Sequence, residues 1–376
     1  MGHDAAAAEL PDLRSLDRAA LTTLISELGE QPYRVGQVLR WLHRQDIASL
    51  AQMTNLPASM RQGLATRTSL RSLVLEEVQA SRDGTTKLRW RLHDGEQIES
   101  VFIPDAAKEG RHALCISTQV GCAMGCAFCA TASLGLKRQL SAAEIVEQVR
   151  SARRWLSEQP GAEAADPDAD PANPRSGDAA PEKPRIGSIV LMGMGEPLHN
   201  YENTIRALRL LTDPDAHGYS PRRVTVSTVG LVRPLQRLLS DVDVQIAVSL
   251  VAARDAVRSE IMPVNRKHDV KALLEACAAL PVKNRRRITF EVVLLAGVND
   301  SDADALALAR AVAPLRCKVN LIPYNPHPHA PFTRPSDARV LAFQQILKER
   351  GVGAYLRQPR GQDIDAACGM LVARRD

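Results

Sequence analysis

Apolar positions change their spacing twice in the first third of the chain. From residue 14 to about residue 70 they recur every three or four residues, as they do between Leu21 and Leu28, which predicts helices. Between residues 72 and 104 they alternate with polar positions or form short runs, which predicts strands. The pair Asp94-Gly95 separates two of these segments and is typical of a hairpin turn. We therefore expect a small N-terminal helical domain (1–71) followed by a β-ribbon extension (72–111).

Strand-like and helical patterns alternate from His112 onward. The apolar runs that predict strands cover 113–116, 186–192, 224–227, 244–250, 288–295 and 319–322. Six strand–helix units in succession favour a parallel sheet that is closed or partly closed into a barrel. The helix after the first of these strands begins with Ser141 and Glu144, which have the spacing of a capping box. The predicted fold class is α/β, with a partial (β/α)6 barrel over residues 112–371.

One segment interrupts this alternation. Residues 157–185 contain six prolines, seven acidic residues and three basic residues, and they lack the apolar content of a core, so we expect a disordered acidic insertion. The whole chain of 376 residues nevertheless has a net charge of +5, with basic clusters at 222–223, at 283–287 and at Arg357 with Arg360. Such clusters fit a phosphate backbone, although any one of them alone is better explained as a solvated charged face.

Other bulk features exclude some classes of protein. Aromatic residues make up 3% of the chain, which argues against an RNA-binding platform that stacks bases. The sequence has no run of 18 apolar residues, so we expect no membrane span. The first residues, Met-Gly-His-Asp-Ala, lack the basic and apolar parts of a signal peptide, which predicts a cytoplasmic protein.

Three cysteines form a C-x3-C-x2-C motif at Cys122, Cys126 and Cys129, on the loop after the first barrel strand. Three thiolates can bind three corners of a 4Fe-4S cluster and leave one iron open, whereas electron-transfer clusters use four cysteines. A zinc site would need a fourth Cys or His at suitable spacing, a thioredoxin-like pair would leave Cys122 unused, and a structural disulfide is not expected in a cytoplasmic chain. The spacing, with Phe128 before the last cysteine, resembles the radical S-adenosylmethionine (radical SAM) superfamily, which implies a 4Fe-4S cluster that binds SAM.

Two further features fall at the same predicted site. Gly195 and Glu196 follow the second barrel strand, where radical SAM proteins place a group that binds the amino end of SAM through a charge-assisted contact. Cys115 ends the first barrel strand, seven residues before Cys122, and Cys368 lies in a loop of small residues near the chain end. A lone cysteine in such a loop is usually an inert small hydrophobe. Two extra cysteines near one radical site instead suggest thiol chemistry.

Motifs along nearly the whole chain resemble those of the RlmN family, which are radical SAM enzymes that methylate carbon 2 of adenine in ribosomal RNA and tRNA. The shared residues are Gln31-Pro32-Tyr33-Arg34, Met53-Thr54-Asn55-Leu56-Pro57, Ser117-x-Gln119-Val120-Gly121-Cys122, Gly193-Met194-Gly195-Glu196-Pro197, Asn320-Leu321-Ile322-Pro323-x-Asn325-Pro326 and Arg360-Gly361-x-Asp363-Ile364-Asp365-Ala366-Ala367-Cys368-Gly369. The acidic insertion lies outside this resemblance. The fold that the resemblance implies is a partial (β/α)6 radical SAM barrel with a small N-terminal helical domain and a β extension.

The resemblance also implies a role for each matching residue. Cys368 receives a methyl group from one SAM. A second SAM provides the radical that removes a hydrogen atom from this methyl group, and the resulting carbon radical on the sulfur of Cys368 adds to adenine C2. Glu99 removes the C2 proton, and Cys115 attacks Cys368, which releases methylated RNA and leaves a disulfide. The implied ligands of the cluster are Cys122, Cys126 and Cys129, and the implied SAM contacts are Gly195, Glu196, Ser227, Ser249, Leu250, Val251 and Asn325.

The expected partners are 23S rRNA, modified in the peptidyl-transferase centre, tRNA, modified 3′ to the anticodon, and an electron donor such as flavodoxin. The protein is expected to act as a monomer. The sequence departs from the family where Ser-Leu-His is usual, because Ser249 and Leu250 are followed by Val251, whose side chain cannot form hydrogen bonds. Two other interpretations stay open: methylation of adenine C8 on the same scaffold, and a non-catalytic iron–sulfur protein that binds RNA.

Overall fold

The computed structural model describes residues 10–45, 47–104, 111–159, 185–283 and 286–373. Most of the predicted acidic insertion lies outside the described residues. Of its two ends, Ser157 is the last residue of a helix and Arg185 is the first residue of a strand. In the described part of the chain, no helix is long and apolar enough to cross a membrane.

In the described residues before the sheet there are three α-helices, as the spacing of apolar residues predicts. They are α1 (Arg18–Glu27), α2 (Arg34–His43) and α3 (Ala58–Arg67). Leu21 and Leu64 are fully buried on the inner faces of these helices, as expected for amphipathic helices that pack on a core. Asp17 begins α1 by accepting a hydrogen bond from the Ala20 amide, which satisfies one of the free donors of the first turn.

Most of the described strands form one large sheet. In chain order the strands are β1 (Val74–Ala80), β2 (Thr86–Arg91), β3 (Gln97–Ile103), β4 (Arg111–Cys115), β5 (Gln119–Gly121), β6 (Leu136–Gln139), β7 (Arg185–Leu191), β8 (Val224–Thr228), β9 (Gln245–Ser249), β10 (Ile288–Leu294), β11 (Cys317–Pro323) and β12 (Ala354–Leu356). Ten of them are hydrogen-bonded in the order β1-β2-β3-β4-β7-β8-β9-β10-β11-β12, while β5 pairs with β6. The predicted hairpin is confirmed, because β2 and β3 are antiparallel and Arg91 pairs with Gln97 across the turn.

Helices alternate with the parallel strands. The helices in this part are α4 (Ala142–Ser157), α5 (Tyr201–Thr212), α6 (Val232–Asp241), α7 (Asp255–Ile261), α8 (Val270–Ala278), α9 (Asp302–Val312) and α10 (Asp337–Glu349). Strands β4 and β7 to β12 are parallel to one another, whereas β3 pairs antiparallel with β4. The α/β fold with a partial barrel is confirmed. The short strand β12 is a further parallel strand that the sequence pattern did not reveal. The capping box at Ser141 and Glu144 is present at the start of α4.

The sheet also fixes where a site can form. Phe290 and Val226 are fully buried within the sheet and belong to the main apolar core. The carboxyl ends of parallel strands lie at the same edge of a sheet, and the loops that follow them therefore come together there. The loops after β4, β7, β8, β9 and β11 carry most of the site residues predicted from the sequence.

Candidate functional site

The cysteine motif lies on the loop that follows β4, and the hairpin of β5 and β6 frames its start. The Cys122 amide donates a hydrogen bond to the Gly135 carbonyl at 2.9 Å. Gly121 has a φ of 75°, and a Cβ added there would lie 1.8 Å from the Gly135 carbonyl oxygen. Only glycine fits both the backbone angle and the space. The chain therefore enters the first cysteine along a fixed path.

The other end of the cysteine loop is held by two separate parts of the chain. The Ala127 amide donates to the Ile261 carbonyl at the end of α7 at 2.9 Å. The Ala130 amide donates to the Gly369 carbonyl at 2.7 Å, so the C-terminal segment also contacts the loop. The barrel and the chain end thus hold the cysteines between them.

A cavity of about 560 Å³ opens beside this loop. Many of the residues predicted from the sequence line it, namely Cys122, Cys126, Cys129, Gly195, Glu196, Ser227, Ser249, Asn325 and Cys368. These residues come from distant parts of the chain, and the structure brings them into one space.

The three cysteines of the motif are thiols in apolar surroundings. Burial raises the pKa of each of them, that of Cys122 to about 12. Such thiols are neutral near pH 7, and metal binding would displace their protons. Among the described residues, no group of three or more His, Cys, Asp or Glu side chains is placed to hold a single metal ion. Three thiols beside a cavity match the soft donor set that an iron–sulfur cluster requires.

Glu196 is a buried carboxylate in the cavity wall, 2% exposed. Its Oε1 accepts a hydrogen bond from the Leu198 amide at 3.0 Å, and its Oε2 accepts one from the Val229 amide at 2.8 Å. Burial raises its pKa to about 7, although these hydrogen bonds oppose the shift. Gly195 has a φ of 99°, and a Cβ there would lie 2.5 Å from that of Gln119. Glu196 is therefore held in place and can accept a hydrogen bond from an amino group in the cavity.

Cys368 lies on a C-terminal loop that is fixed at several points. The Gly361 amide donates to Asp83 Oδ2 at 2.9 Å, at the turn between β1 and β2. The Asn325 side chain donates to the Cys368 carbonyl at 3.3 Å, after β11. The Cys368 side chain is exposed at the cavity, yet the protein around it still raises the pKa of its thiol, and the nearby Glu291 carboxylate raises it further. The loop thus presents this thiol to the cavity.

Cys115 lies just below the cavity surface, at the end of β4. It is 8% exposed, whereas Ala113, two residues earlier on the same face of the strand, lines the cavity. Burial raises the pKa of Cys115, and Cys368 adds to this shift when its own thiol is ionised. Both cysteines are free thiols. The predicted thiol pair therefore lies close enough to interact electrostatically.

Glu99 is the predicted proton acceptor. Judged from the described residues, it does not line the cavity. It lies on β3, is 3% exposed, and has the Lys87 ammonium 3.7 Å from its Oε1. Burial raises its pKa, while Lys87 and the Val372 backbone amide lower it. The C-terminal segment at Val372 thus packs against this carboxyl.

Leu250 and Val251 also have no side chain in the cavity wall that the described residues form. They are 0% and 1% exposed and pack in the core. Val251 has a φ of 60°, in the left-handed region that β-branched residues avoid. Their contribution to any ligand contact is limited to the backbone.

Glu291 is a cavity residue that the sequence reasoning missed. It lies on β10, opposite Ser249 on β9 and Asn320 on β11. Its Oε1 accepts a hydrogen bond from Asn320 Nδ2 at 2.9 Å, while its Oε2 is buried and has no hydrogen-bond partner among the described residues. Buried polar atoms are normally paired, so this oxygen is available to a ligand. A single acidic residue within the apolar run Ile-Thr-Phe-Glu-Val-Val-Leu was the signal that could have revealed it.

Comparison with known proteins gives matches that span the chain. Residues 11–70 match the family model of the ribosomal RNA large subunit methyltransferase N-terminal domain. The chain is 46% identical over 363 residues to the dual-specificity RNA methyltransferase RlmN of Anaeromyxobacter sp. (strain Fw109-5), covering 96% of this chain and 91% of that protein. It is 44% identical to the RlmN protein of Alkalilimnicola ehrlichii, covering 96% and 94%. Among solved structures, a radical SAM methyltransferase from Sphaerobacter thermophilus is similar, with a TM-score of 0.81, 40% identity and coverage of 97% of this chain and 100% of that one.

Proposed function

The chain belongs to the RlmN family of RNA methyltransferases, and from this premise we propose that it transfers a methyl group to carbon 2 of adenosine in 23S rRNA and in tRNA. The observation that carries the proposal is one cavity lined both by the three-cysteine motif and by the C-terminal Cys368. A C–H carbon between two ring nitrogens is electron-poor and does not attack the methyl group of SAM directly. A mechanism that delivers the carbon through a protein thiol overcomes this difficulty.

The cavity residues suit the two groups that radical SAM enzymes use, a 4Fe-4S cluster and SAM. Cys122, Cys126 and Cys129 would hold the cluster, which leaves one iron without a protein ligand. When bound, these groups supply a 5′-deoxyadenosyl radical. Glu196 would accept a hydrogen bond from the amino group of SAM, and Gly195 next to it forms part of the same cavity wall. Ser227, Ser249 and Asn325 line the same cavity and offer polar side chains to the rest of the molecule.

Cys368 is the residue that would carry the transferred carbon. Its sulfur would accept the methyl group and lose the thiol proton. Once this methyl group has lost a hydrogen atom to the radical, its carbon would form the bond to adenine C2. Cys115 then gives up its proton and attacks the sulfur of Cys368, which breaks the carbon–sulfur link and forms a disulfide. The released carbon takes up a proton to become the methyl group, one electron leaves the adduct radical, and an external reductant restores the two thiols. The closeness of the two free thiols supports this assignment.

Glu99 would remove the C2 proton. A buried carboxyl with a raised pKa is suited to accept a proton near neutral pH. Glu99 is 3% exposed and lies beside the segment around Val372, so this role requires the carboxyl to become accessible when RNA binds. Leu250 and Val251 would contact SAM through their backbone only.

The remaining parts of the proposal concern partners and organisation. The domain divisions at residues 71 and 111, a flavodoxin-like electron donor, action as a monomer and a cytoplasmic location stay predictions. The N-terminal helices, within residues 11–70 that match the ribosomal RNA methyltransferase model, would bind RNA.

The test is anaerobic reconstitution with iron and sulfide, followed by incubation with SAM, a reductant and ribosomal RNA fragments or tRNA. Mass spectrometry of the digested RNA should identify 2-methyladenosine, and this product should vanish in Cys368→Ala. Cys317→Ala is the matched control, because that cysteine begins β11 at the opposite end of the strand from the cavity. Formation of 8-methyladenosine would move the activity to adenine C8, and RNA binding without any methylated base would favour the non-catalytic interpretation.

A further inference from the structure

Arg258 is a buried arginine beside the candidate site, and the sequence motifs assign it no role. Its side chain is 1% exposed. It lies on α7, one turn before Ile261, whose carbonyl accepts the hydrogen bond from Ala127 of the cysteine loop. Ile261 and Cys126 belong to the same small apolar cluster. A permanent positive charge is therefore buried close to the cysteine motif.

The guanidinium of Arg258 joins two loops of the cavity wall. Its Nη2 donates to the Val229 carbonyl at 2.8 Å and to the Ser249 carbonyl at 3.3 Å. Its Nε donates to the Leu250 carbonyl at 2.9 Å. Val229 follows β8, and Ser249 ends β9. One side chain thus fixes the spacing between the ends of two neighbouring strands.

These contacts reach the groups proposed to bind SAM. Val229 donates its amide to Glu196 Oε2 at 2.8 Å and accepts the Arg258 hydrogen bond on its carbonyl at 2.8 Å. Ser249 lines the cavity with its side chain while its carbonyl is bound to Arg258. A shift of the guanidinium would therefore move both Glu196 and Ser249.

The charge of Arg258 is compensated only in part by nearby groups. In the ranges that the structure describes, no carboxylate forms a salt bridge with it, and its fourth partner is the neutral Asn265 side chain at 2.8 Å. Asp255 acts on this charge from a longer distance, and Asn265 connects the two side chains, because its Nδ2 donates to Asp255 Oδ1 at 2.9 Å. Burying an unpaired charge is costly, so a structural role alone would be served better by neutral groups. The field of this charge acts on Cys126, where it opposes the rise in pKa that burial causes.

We propose that Arg258 is a positioning residue that holds the SAM-binding loops and makes the cluster easier to reduce. The inference rests on the proposed function. Reduction adds an electron to a centre that already carries three thiolates, and a nearby buried cation favours the more negative state. The same guanidinium holds Val229 and Ser249 in the positions that SAM binding requires.

Two variants separate these effects. Arg258→Met removes the charge and all the hydrogen bonds, whereas Arg258→Lys keeps a charge but cannot reach several carbonyls at once. Arg14→Met is the matched control, because Arg14 is also 1% exposed and donates to the backbone carbonyls of Ile47 and Arg71, outside the cavity wall. The readouts are the reduction potential of the reconstituted cluster, from an anaerobic titration followed by electron paramagnetic resonance, and the Kd for SAM from equilibrium binding.

We expect the reduction potential of the cluster to be more negative in Arg258→Met. We also expect SAM to bind about tenfold more weakly or worse, because the loss of hydrogen bonds from a charged group has an effect of this size. Arg258→Lys should keep a potential near that of the wild type and still bind SAM more weakly. Arg14→Met should change neither quantity.

A cluster-loaded Arg258→Met protein with the wild-type potential and SAM affinity would overturn the inference, as would equal shifts in Arg14→Met. If Arg258→Met loads no cluster, the inference is decided by Arg258→Lys, and a wild-type SAM affinity there would overturn it. A wild-type protein that binds no cluster would instead contradict the proposed function.

Discussion

The buried carboxyl of Glu196 should make SAM binding depend on pH near neutrality. Its pKa is raised to about 7 by burial, from an ordinary value of 4.5. An amino group is bound better by the ionised carboxylate than by the neutral acid. Affinity for SAM should therefore increase as the pH rises from 6 to 8. The stability of the ligand-free protein should follow the opposite trend, because a raised pKa contributes stability below about pH 4.5 that is lost as the pH rises through about 7.

The size of the effect follows from the ionised fraction. At pH 6, one unit below the pKa of about 7, about a tenth of the carboxyl is ionised, which lowers the affinity about tenfold, or about 1.4 kcal/mol. Glu196→Gln removes the titration and also places an amide NH2 where the carboxylate accepts hydrogen bonds from Leu198 and Val229. Leaving one of those buried donors unpaired costs about 1–3 kcal/mol. The variant should bind SAM weakly at every pH.

The assay is calorimetric titration of SAM into the reconstituted protein at several pH values between 6 and 8. Glu147→Gln is the matched control, because Glu147 is 2% exposed and its pKa is also raised to about 7, but it lies on α4, paired with Arg150 and outside the cavity wall. That control should keep the pH dependence of SAM binding. A flat affinity in the wild type, or the same slope in Glu196→Gln, would refute the reasoning.

Three other changes have definite expected outcomes. Gly121→Ala would place a Cβ 1.8 Å from the Gly135 carbonyl oxygen at a position with a φ of 75°. The path into Cys122 should be disturbed, so the iron content after reconstitution should fall, and a wild-type iron content would contradict this expectation. Glu291→Gln removes a charge that raises the pKa of Cys368. The pH profile of Cys368 alkylation by iodoacetamide should therefore shift to lower pH. An unchanged profile would show that the carboxylate does not act on this thiol. Ser141→Ala removes the N-terminal cap of α4 and should lower the free energy of unfolding by about 1 kcal/mol in urea denaturation, whereas no change would mean that the cap is dispensable.

The sequence was most informative where local patterns decide the structure. The period of apolar residues predicted the N-terminal helices and the six parallel strands, and Asp94-Gly95 predicted the hairpin of β2 and β3. The cysteine spacing and the Gly195-Glu196 pair predicted which residues gather at the carboxyl edge of the sheet. These features depend on residues that are close in the chain, and the sheet topology then brings them together.

Features that depend on contacts between distant residues were not predicted. Strand β12 has three residues, too few to show a period. In the sequence, Arg258 is one of several charged residues on a short helix. Only the folded chain shows that its guanidinium donates hydrogen bonds to the carbonyls of two loops. Leu250 and Val251 were assigned to the SAM site from the motif around Ser249, but their side chains pack into the core. Glu99 was likewise assigned as the proton acceptor from a motif. The sequence of its strand did not show that the C-terminal segment lies beside it.

The most direct test of the central claim is to look for RNA covalently linked to Cys368 in a Cys115→Ala protein. Without the second thiol, the link between Cys368 and adenine should not be resolved, so protein incubated with SAM, reductant and RNA should retain RNA under denaturing conditions. Mass spectrometry of the digested adduct should then show an adenosine joined by one CH2 group to the peptide that contains Cys368. Methylated RNA formed by this variant with no such adduct would contradict the account.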